Sequence, residues 1–128
     1  MTVRIVRLGS DRSPDEGLRI GTVRRPPRGV KKNEYASKNF YDIWLPTLAP
    51  SAEVVKLAHR AGSEREWDRF MKKYRAEMAT PESRATIELL AALSHQTDFS
   101  VGCYCADESR CHRSVLRALL LARGAKVM

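Results

Sequence analysis

The stretch FSVGCYCADESRCHRSVLRALLLA, residues 99–122, decides the fold that we expect for this chain. Its first six residues, Phe99 to Tyr104, carry no charge, which predicts a strand at the centre of a sheet with helices on both faces. The polar residues Cys105 to Arg110 predict a tight connection, and an amphipathic helix follows and stops at Gly124. Because the first N–H groups of a helix lack partners within it, we expect a functional site where this strand meets this helix.

Three further helices are predicted upstream, each with a clear start signal. Ser51 caps the first, Ser63 and Glu66 form a capping box for the second, and Thr80 followed by Pro81 opens the third. Apolar residues recur at three- and four-residue spacing along the second helix: Trp67, Phe70, Met71, Tyr74 and Met78. Such a stripe is typical of a helix face that is buried in a core.

Short strands are predicted on both sides of these helices. The alternating segments Thr2–Leu8 and Leu18–Val23 are predicted to pair with each other, antiparallel if the connection between them is a simple hairpin-like loop. A short strand or helical turn is predicted at Tyr41–Leu45, ended by Pro46, and a short final strand at Lys126–Met128. The order of elements predicts an α/β fold: a small layered domain with a central, mostly parallel sheet of about four short strands flanked by four helices.

Length, charge and cysteine content restrict the class of protein. At 128 residues the chain is expected to form a single domain, and no apolar run approaches the ~20 residues of a membrane span, so we expect no membrane partner. Neither a signal peptide nor an even set of cysteines is present, which favours the cytoplasm. The net charge of +8, from 23 basic and 15 acidic residues, indicates attraction to anionic small molecules or nucleic acid.

Five cations crowd into the loop RRPPRGVKK, Arg24 to Lys32. Two prolines and a glycine exclude regular structure there, and the prolines restrict the backbone that carries the charges. The loop is interpreted either as an anion-binding loop or as a solvated basic turn.

The three cysteines near the end of the chain have different expected roles. If Asp107 caps the last helix, Cys111 falls on its core face, and Cys103 lies within the buried strand, so both are predicted to be buried apolar side chains. Cys105 lies where the strand ends, within range of helix N–H groups that would stabilise a thiolate, which makes it a candidate catalytic nucleophile. Its spacing to Arg110 and Arg113 differs from that of cysteine phosphatases, which leaves a thiolate enzyme as an alternative.

A metal site is the third interpretation of this segment. The pattern C-x-C-x5-C-H collects soft ligands, but zinc sites usually add a paired C-x2-C or a second ligand cluster. The other two histidines, His59 and His95, lie on separate predicted helices. We therefore expect no metal and no other cofactor.

Four motifs together resemble a known family. They are VRRPPRGVKK at Val23–Lys32, W-L-x-x-L-A-P-S at Trp44–Ser51, W-x-x-F-x-x-x-Y-x-x-E at Trp67–Glu77, and C-Y-C…C-H-R at Cys103–Arg113. In their order and spacing they resemble the YeaO-like proteins, domain of unknown function 488. That family commonly has D-R-x-W-P-R-G in the first loop, whose acidic and tryptophan positions are missing here. The resemblance implies a compact α/β domain and no established reaction, and it makes the PRG loop and the C-H-R helix start parts of one family signature.

The leading hypothesis is an anion-binding site at the carboxyl end of the Phe99–Tyr104 strand, where ligands of open α/β sheets gather. The expected ligand is a phosphate, sulfate or carboxylate, because arginines beside a helix start suit such groups. Five residues are predicted to converge there: Arg25, Arg28, Lys32, His112 and Arg113. Two alternatives stay open, namely a Cys105-dependent enzyme for sulfur or phosphoryl transfer, and a module that binds nucleic acid or a nucleotide without chemistry.

Overall fold

A computed structural model describes the backbone of residues 1–128 and every side chain except that of Glu108. The strands are β1 (Val3–Arg7), β2 (Leu18–Gly21), β3 (Ile43–Trp44) and β4 (Phe99–Cys103). The helices are α1 (Ala52–Arg60), α2 (Glu64–Met78), α3 (Pro81–Leu93) and α4 (His112–Ala122). All strand pairs in the sheet are parallel and the order is β1-β4-β2-β3, which confirms the predicted small α/β fold.

Strand β4 is central, as its lack of charge predicted. All five of its residues are buried. It pairs with β1 on one side, Val3 beside Phe99, and with β2 on the other, Leu18 beside Phe99. The carboxyl ends of β2 and β4 therefore lie next to each other, and the segments that follow them meet at that edge.

The predicted hairpin between the first two strands is wrong. Strands β1 and β2 do not pair with each other, because β4 lies between them and pairs with both in parallel. The loop between β1 and β2 is a crossover rather than a tight turn, so the two strands run in the same direction. The last residues add only an isolated parallel bridge between Val127 and Val3.

One large core lies between the sheet and the helices. Strand residues Val3, Phe99 and Val101 belong to the same cluster of buried side chains as residues from all four helices. The opposite face differs from the prediction of helices on both sides. There the fully buried Arg19 donates hydrogen bonds to the backbone oxygens of Ser10 and Asn39, so connecting segments cover this face.

The helix starts follow the capping signals in all but one case. The Ser51 and Ser63 side chains accept hydrogen bonds from the N–H groups of Val54 and Glu66, and Pro81 begins α3. The predicted cap Asp107 instead accepts bonds from Ser109, and a short 3-10 turn over Glu108–Arg110 delays the start of α4 to His112, with Cys111 at the N-cap. Among the described residues, no helix combines the length and apolar character that crossing a membrane requires.

Candidate functional site

A cavity of about 370 Å³ lies at the carboxyl end of β4. Four segments line this β4-end cavity: the loop after β2, one face of α1, the end of β4 and the start of α4. The polar side chains of the lining come from Arg24, Arg25, Lys56, His59, Tyr104, Cys105 and His112. A basic loop, a thiol and a histidine that are far apart in sequence are therefore exposed to one space.

The basic loop is tied to this edge by two hydrogen bonds. The Tyr104 hydroxyl donates to the backbone oxygen of Arg25 at 2.8 Å. The indole N–H of Trp44 donates to the backbone oxygen of Val23 at 2.7 Å. These bonds fix the first residues of the loop over the end of β4. The two prolines follow directly after this anchored segment.

The three thiols interact with one another and have unequal environments. Cys103 and Cys111 are each 2% exposed, as predicted, whereas Cys105 is exposed. Hydrogen bonds from Cys103 and Cys111, together with the charge of Arg113, hold the pKa of the Cys105 thiol well below its usual range. Hydrogen bonds with Cys105 and Cys111 raise the pKa of Cys103. Within this group Cys105 is the thiol that ionises most readily.

His112 is held in one orientation by its backbone and ring contacts. Its Nε2 lies 2.8 Å from the backbone oxygen of Thr22, and because a carbonyl only accepts, Nε2 carries the proton. Its Nδ1 faces Cys111 Sγ at 3.7 Å, and the Tyr74 ring packs edge-on at 5.4 Å between centroids. Burial lowers the pKa of His112 to about 4, so at neutral pH this residue adds no positive charge to the cavity.

Arg113 is a buried cation without a carboxylate partner. Its side chain is 4% exposed, and Nη2 donates to the backbone oxygen of Cys105 at 2.6 Å. Its Nε has no hydrogen-bond partner. No ion pair joins it to any described carboxylate. The guanidinium therefore lies beside the Cys105 backbone with unused capacity to donate.

The residues predicted for the anion site have different placements. Arg25, Cys105 and His112 line the β4-end cavity, and Arg113 contacts Cys105. Lys32 instead lines a separate cavity together with Tyr35, Trp44 and other residues of that side of the loop. Arg28 is exposed and is not among the lining residues of the β4-end cavity.

Sequence reasoning missed two residues that organise the cavity. Thr22 orients His112 through its backbone oxygen, which no side-chain pattern can reveal. Tyr104 anchors the basic loop, and its place directly after the buried strand was the available signal. In the described part of the chain, a group of possible metal ligands also occurs, formed by Cys103, Cys111 and His112, with ligand atoms within 4.8 Å of one another.

Comparisons with known proteins give a family and uncharacterised relatives. A family model described as DUF488-N3a, active DUF488-N3 subclade, matches residues 3–124. Uncharacterised proteins of Mycobacterium bovis and of two Mycobacterium tuberculosis strains are each 29% identical over 121 residues, which covers 94% of this chain and 95% of theirs. No solved structure matches the chain. The chemistry of the site itself has to indicate what the protein does.

Proposed function

This chain belongs to the DUF488-N3a family, in agreement with its resemblance to domain of unknown function 488, and on that premise we propose that it binds an anionic small molecule. The ligand carries a phosphate, sulfate or carboxylate group and occupies the β4-end cavity. Arg113 and Arg25 supply the positive charge, and His112 forms part of the cavity lining. The three free thiols suit a reducing compartment, so we also propose a cytoplasmic location.

The observation that carries this proposal is the unpaired charge of Arg113. A buried guanidinium normally has a carboxylate partner, because an uncompensated charge away from water is costly. Arg113 is 4% exposed and has one hydrogen bond, to a neutral carbonyl, with Nε unsatisfied. Arg113 is not itself a lining residue of the β4-end cavity, but it holds the backbone of Cys105, which is one, so its positive charge would act on an anion bound beside Cys105.

The basic loop adds charge that a ligand can reach. Arg24 and Arg25 are exposed and line the cavity, as does Lys56 of α1. The start of α4 contributes the partial positive charge of a helix N-terminus on the same side. The cavity volume of about 370 Å³ suits a small molecule.

Titration calorimetry with inorganic phosphate and with sulfate tests the proposal. Arg25→Gln should weaken binding by about tenfold, since it removes one charge-assisted hydrogen bond. Arg28→Gln is the matched control, because this arginine lies three residues away and outside the cavity lining. Arg28→Gln should leave the affinity unchanged. Equal losses in the two variants, or no measurable binding by the unmodified chain, would contradict a site in this cavity.

A second candidate function is sulfur transfer by Cys105, which the exposure of this thiol in the cavity favours. The Cys105 thiolate would attack the outer sulfur of an anionic donor such as thiosulfate. The donor S–S bond breaks, a new S–S bond joins that sulfur to Cys105, and sulfite leaves with the electron pair. Phosphoryl transfer is less favoured, because the Ser109 N–H that might bind a phosphate already donates to Asp107.

Mass spectrometry after incubation with thiosulfate decides the second candidate. The expected product is a chain heavier by one sulfur atom, with release of an equal amount of sulfite. Cys105→Ser should abolish both signals, whereas Arg28→Gln, a change at an exposed residue outside the cavity lining, should keep both. Absence of the added sulfur in the unmodified chain would leave anion binding without chemistry.

A further inference from the structure

We propose that Cys103, Cys111 and His112 bind a zinc ion and leave its fourth coordination position open toward the β4-end cavity. The ligand atoms of these three buried residues all lie within 4.8 Å of one another. Tetrahedral zinc, with Zn–S near 2.3 Å and Zn–N near 2.0 Å, holds its ligand atoms about 3.5–3.8 Å apart. Cys111 Sγ and His112 Nδ1 are already separated by 3.7 Å. The set therefore needs only a small contraction to bind the ion.

The ring of His112 is oriented for ligation through Nδ1. Its Nε2–H donates to the backbone oxygen of Thr22 at 2.8 Å, so the lone pair of the neutral ring is on Nδ1. That nitrogen faces the sulfur of Cys111. A backbone carbonyl that accepts the second N–H is the usual outer partner of a metal-bound histidine, because it fixes both the tautomer and the ring direction.

The chemistry of the donors favours zinc over the common hard cations. Thiolate and imidazole are soft or borderline ligands, which select zinc over magnesium and calcium. On binding, the Cys103 and Cys111 thiols each release one proton to solvent, and their two negative charges balance the charge of the ion. The loaded site is then neutral.

The β4-end cavity provides both the entry path and the open position. Cys103 and His112 are lining residues of this cavity although both are buried, so an ion that enters the cavity reaches two of the three ligands directly. Three protein ligands with one free position is the arrangement of zinc sites that bind a water or a substrate. The free position would face the same space as Arg25 and Cys105.

Competition between the reduced, metal-free chain and a chromogenic zinc chelator tests this proposal, with zinc chloride as the probe. We expect one zinc per chain. Cys103→Ser and His112→Gln should each weaken binding by about 100-fold or more, since each removes one of three ligands. His95→Gln is the histidine control and should stay within about threefold of the unmodified chain, and Cys105→Ser is measured beside it as the test of the open fourth position.

The spectrum of the cobalt-loaded unmodified chain keeps the proposal testable if the buried variants fail to fold. Thiolate-to-cobalt charge transfer together with tetrahedral ligand-field bands is the expected result. Absence of stoichiometric zinc, an octahedral cobalt spectrum, or an unchanged affinity in Cys103→Ser would overturn the site. A loss in Cys105→Ser as large as that in Cys103→Ser would overturn the open fourth position. Neither phosphate nor sulfate is present in these titrations, so their outcome is independent of phosphate binding.

Discussion

Arg19 is the largest fully buried side chain, and Glu16 is its counter-ion. Two hydrogen bonds join the pair, from Nε to Oε2 at 2.7 Å and from Nη2 to Oε1 at 2.9 Å. The guanidinium also holds the backbone oxygens of Ser10 and Asn39. One ion pair thus ties two connecting segments to the face of the sheet that the helices leave uncovered.

Substitution of Glu16 should therefore be costly. Glu16→Gln leaves the buried charge of Arg19 without compensation, and we expect the free energy of unfolding to fall by about 3 kcal/mol. Urea denaturation measures this change. Asp15→Asn is the matched control, because Asp15 pairs with Arg4 at the surface with 74% of its side chain exposed, where an ion pair contributes at most about 1 kcal/mol. Equal effects in the two variants would contradict a special role for the buried pair.

The same carboxylate predicts a pH dependence of stability. Burial alone would raise the pKa of Glu16, but the hydrogen bonds and charge of Arg19, with a bond from Ser100, outweigh it and the pKa is lowered. Because the folded-state pKa lies below the unfolded value of about 4.3, the stabilisation is complete above that value. It is lost as the pH falls through the folded-state pKa. Unfolding curves at several pH values should therefore decline more steeply below about pH 5 for the unmodified chain than for Glu16→Gln, and parallel declines would exclude this origin.

Among the elements, the central strand depends on a glycine. A Cβ added at Gly102 would lie 2.6 Å from the backbone oxygen of Val6 and 2.9 Å from the side chain of Leu8. Because a neighbouring strand cannot retreat without loss of its ladder bonds, Gly102→Ala should lower the free energy of unfolding by about 1–3 kcal/mol. Gly62→Ala is the control, since the nearest atom to its added Cβ is 3.9 Å away. Thermal unfolding of both variants measures the difference, and an equal shift would count against the close approach at Gly102.

Capping and hydrophobic periodicity are local properties of the sequence, so the helices that they mark were predicted well. Ser51, Ser63 and Pro81 each mark a helix start that the structure confirms. The predicted cap of α4 was wrong, because Asp107 accepts a hydrogen bond from the N–H of Ser109 within the loop rather than from an N–H of the helix. The same kind of limit applies to charges: an arginine within an alternating strand has the pattern of an exposed residue, so the burial of Arg19 depends on the distant segments that cover it.

At the scale of the whole molecule, the pairing of the strands could not be predicted from local sequence patterns. The hairpin prediction failed because β4 enters between β1 and β2 from a part of the chain about 80 residues away, and nothing in the two early strands records that partner. The edge of the sheet that holds the cavity was predictable, since the carboxyl ends of parallel strands meet there. The C-x-C-x5-C-H pattern contains Cys103, Cys111 and His112, but it does not reveal that the fold brings these three ligand atoms within 4.8 Å of one another.

The net charge of +8 makes salt dependence the measurement that separates a specific anion site from general attraction to polyanions. Binding to a DNA duplex releases several counterions, so its affinity should fall steeply as sodium chloride is raised. Phosphate binding in the cavity involves one or two arginines, of which Arg113 is buried and weakly screened, and its dependence on salt should be shallow.

Charge variants on and off the cavity complete this test. The double variant Arg69→Gln/Lys73→Gln removes two exposed cations of α2 that are not lining residues of the β4-end cavity, and it should weaken DNA binding while phosphate affinity stays the same. Arg25→Gln should weaken phosphate binding, because Arg25 lines the cavity, while DNA affinity stays nearly the same. If Arg25→Gln instead lowers DNA affinity by about tenfold while phosphate shows no binding at any salt concentration, the cavity edge belongs to a nucleic-acid interface. The small-molecule proposal would then fail. Arg25 would act only on a polyanion, and binding of a polyanion does not require the buried Arg113.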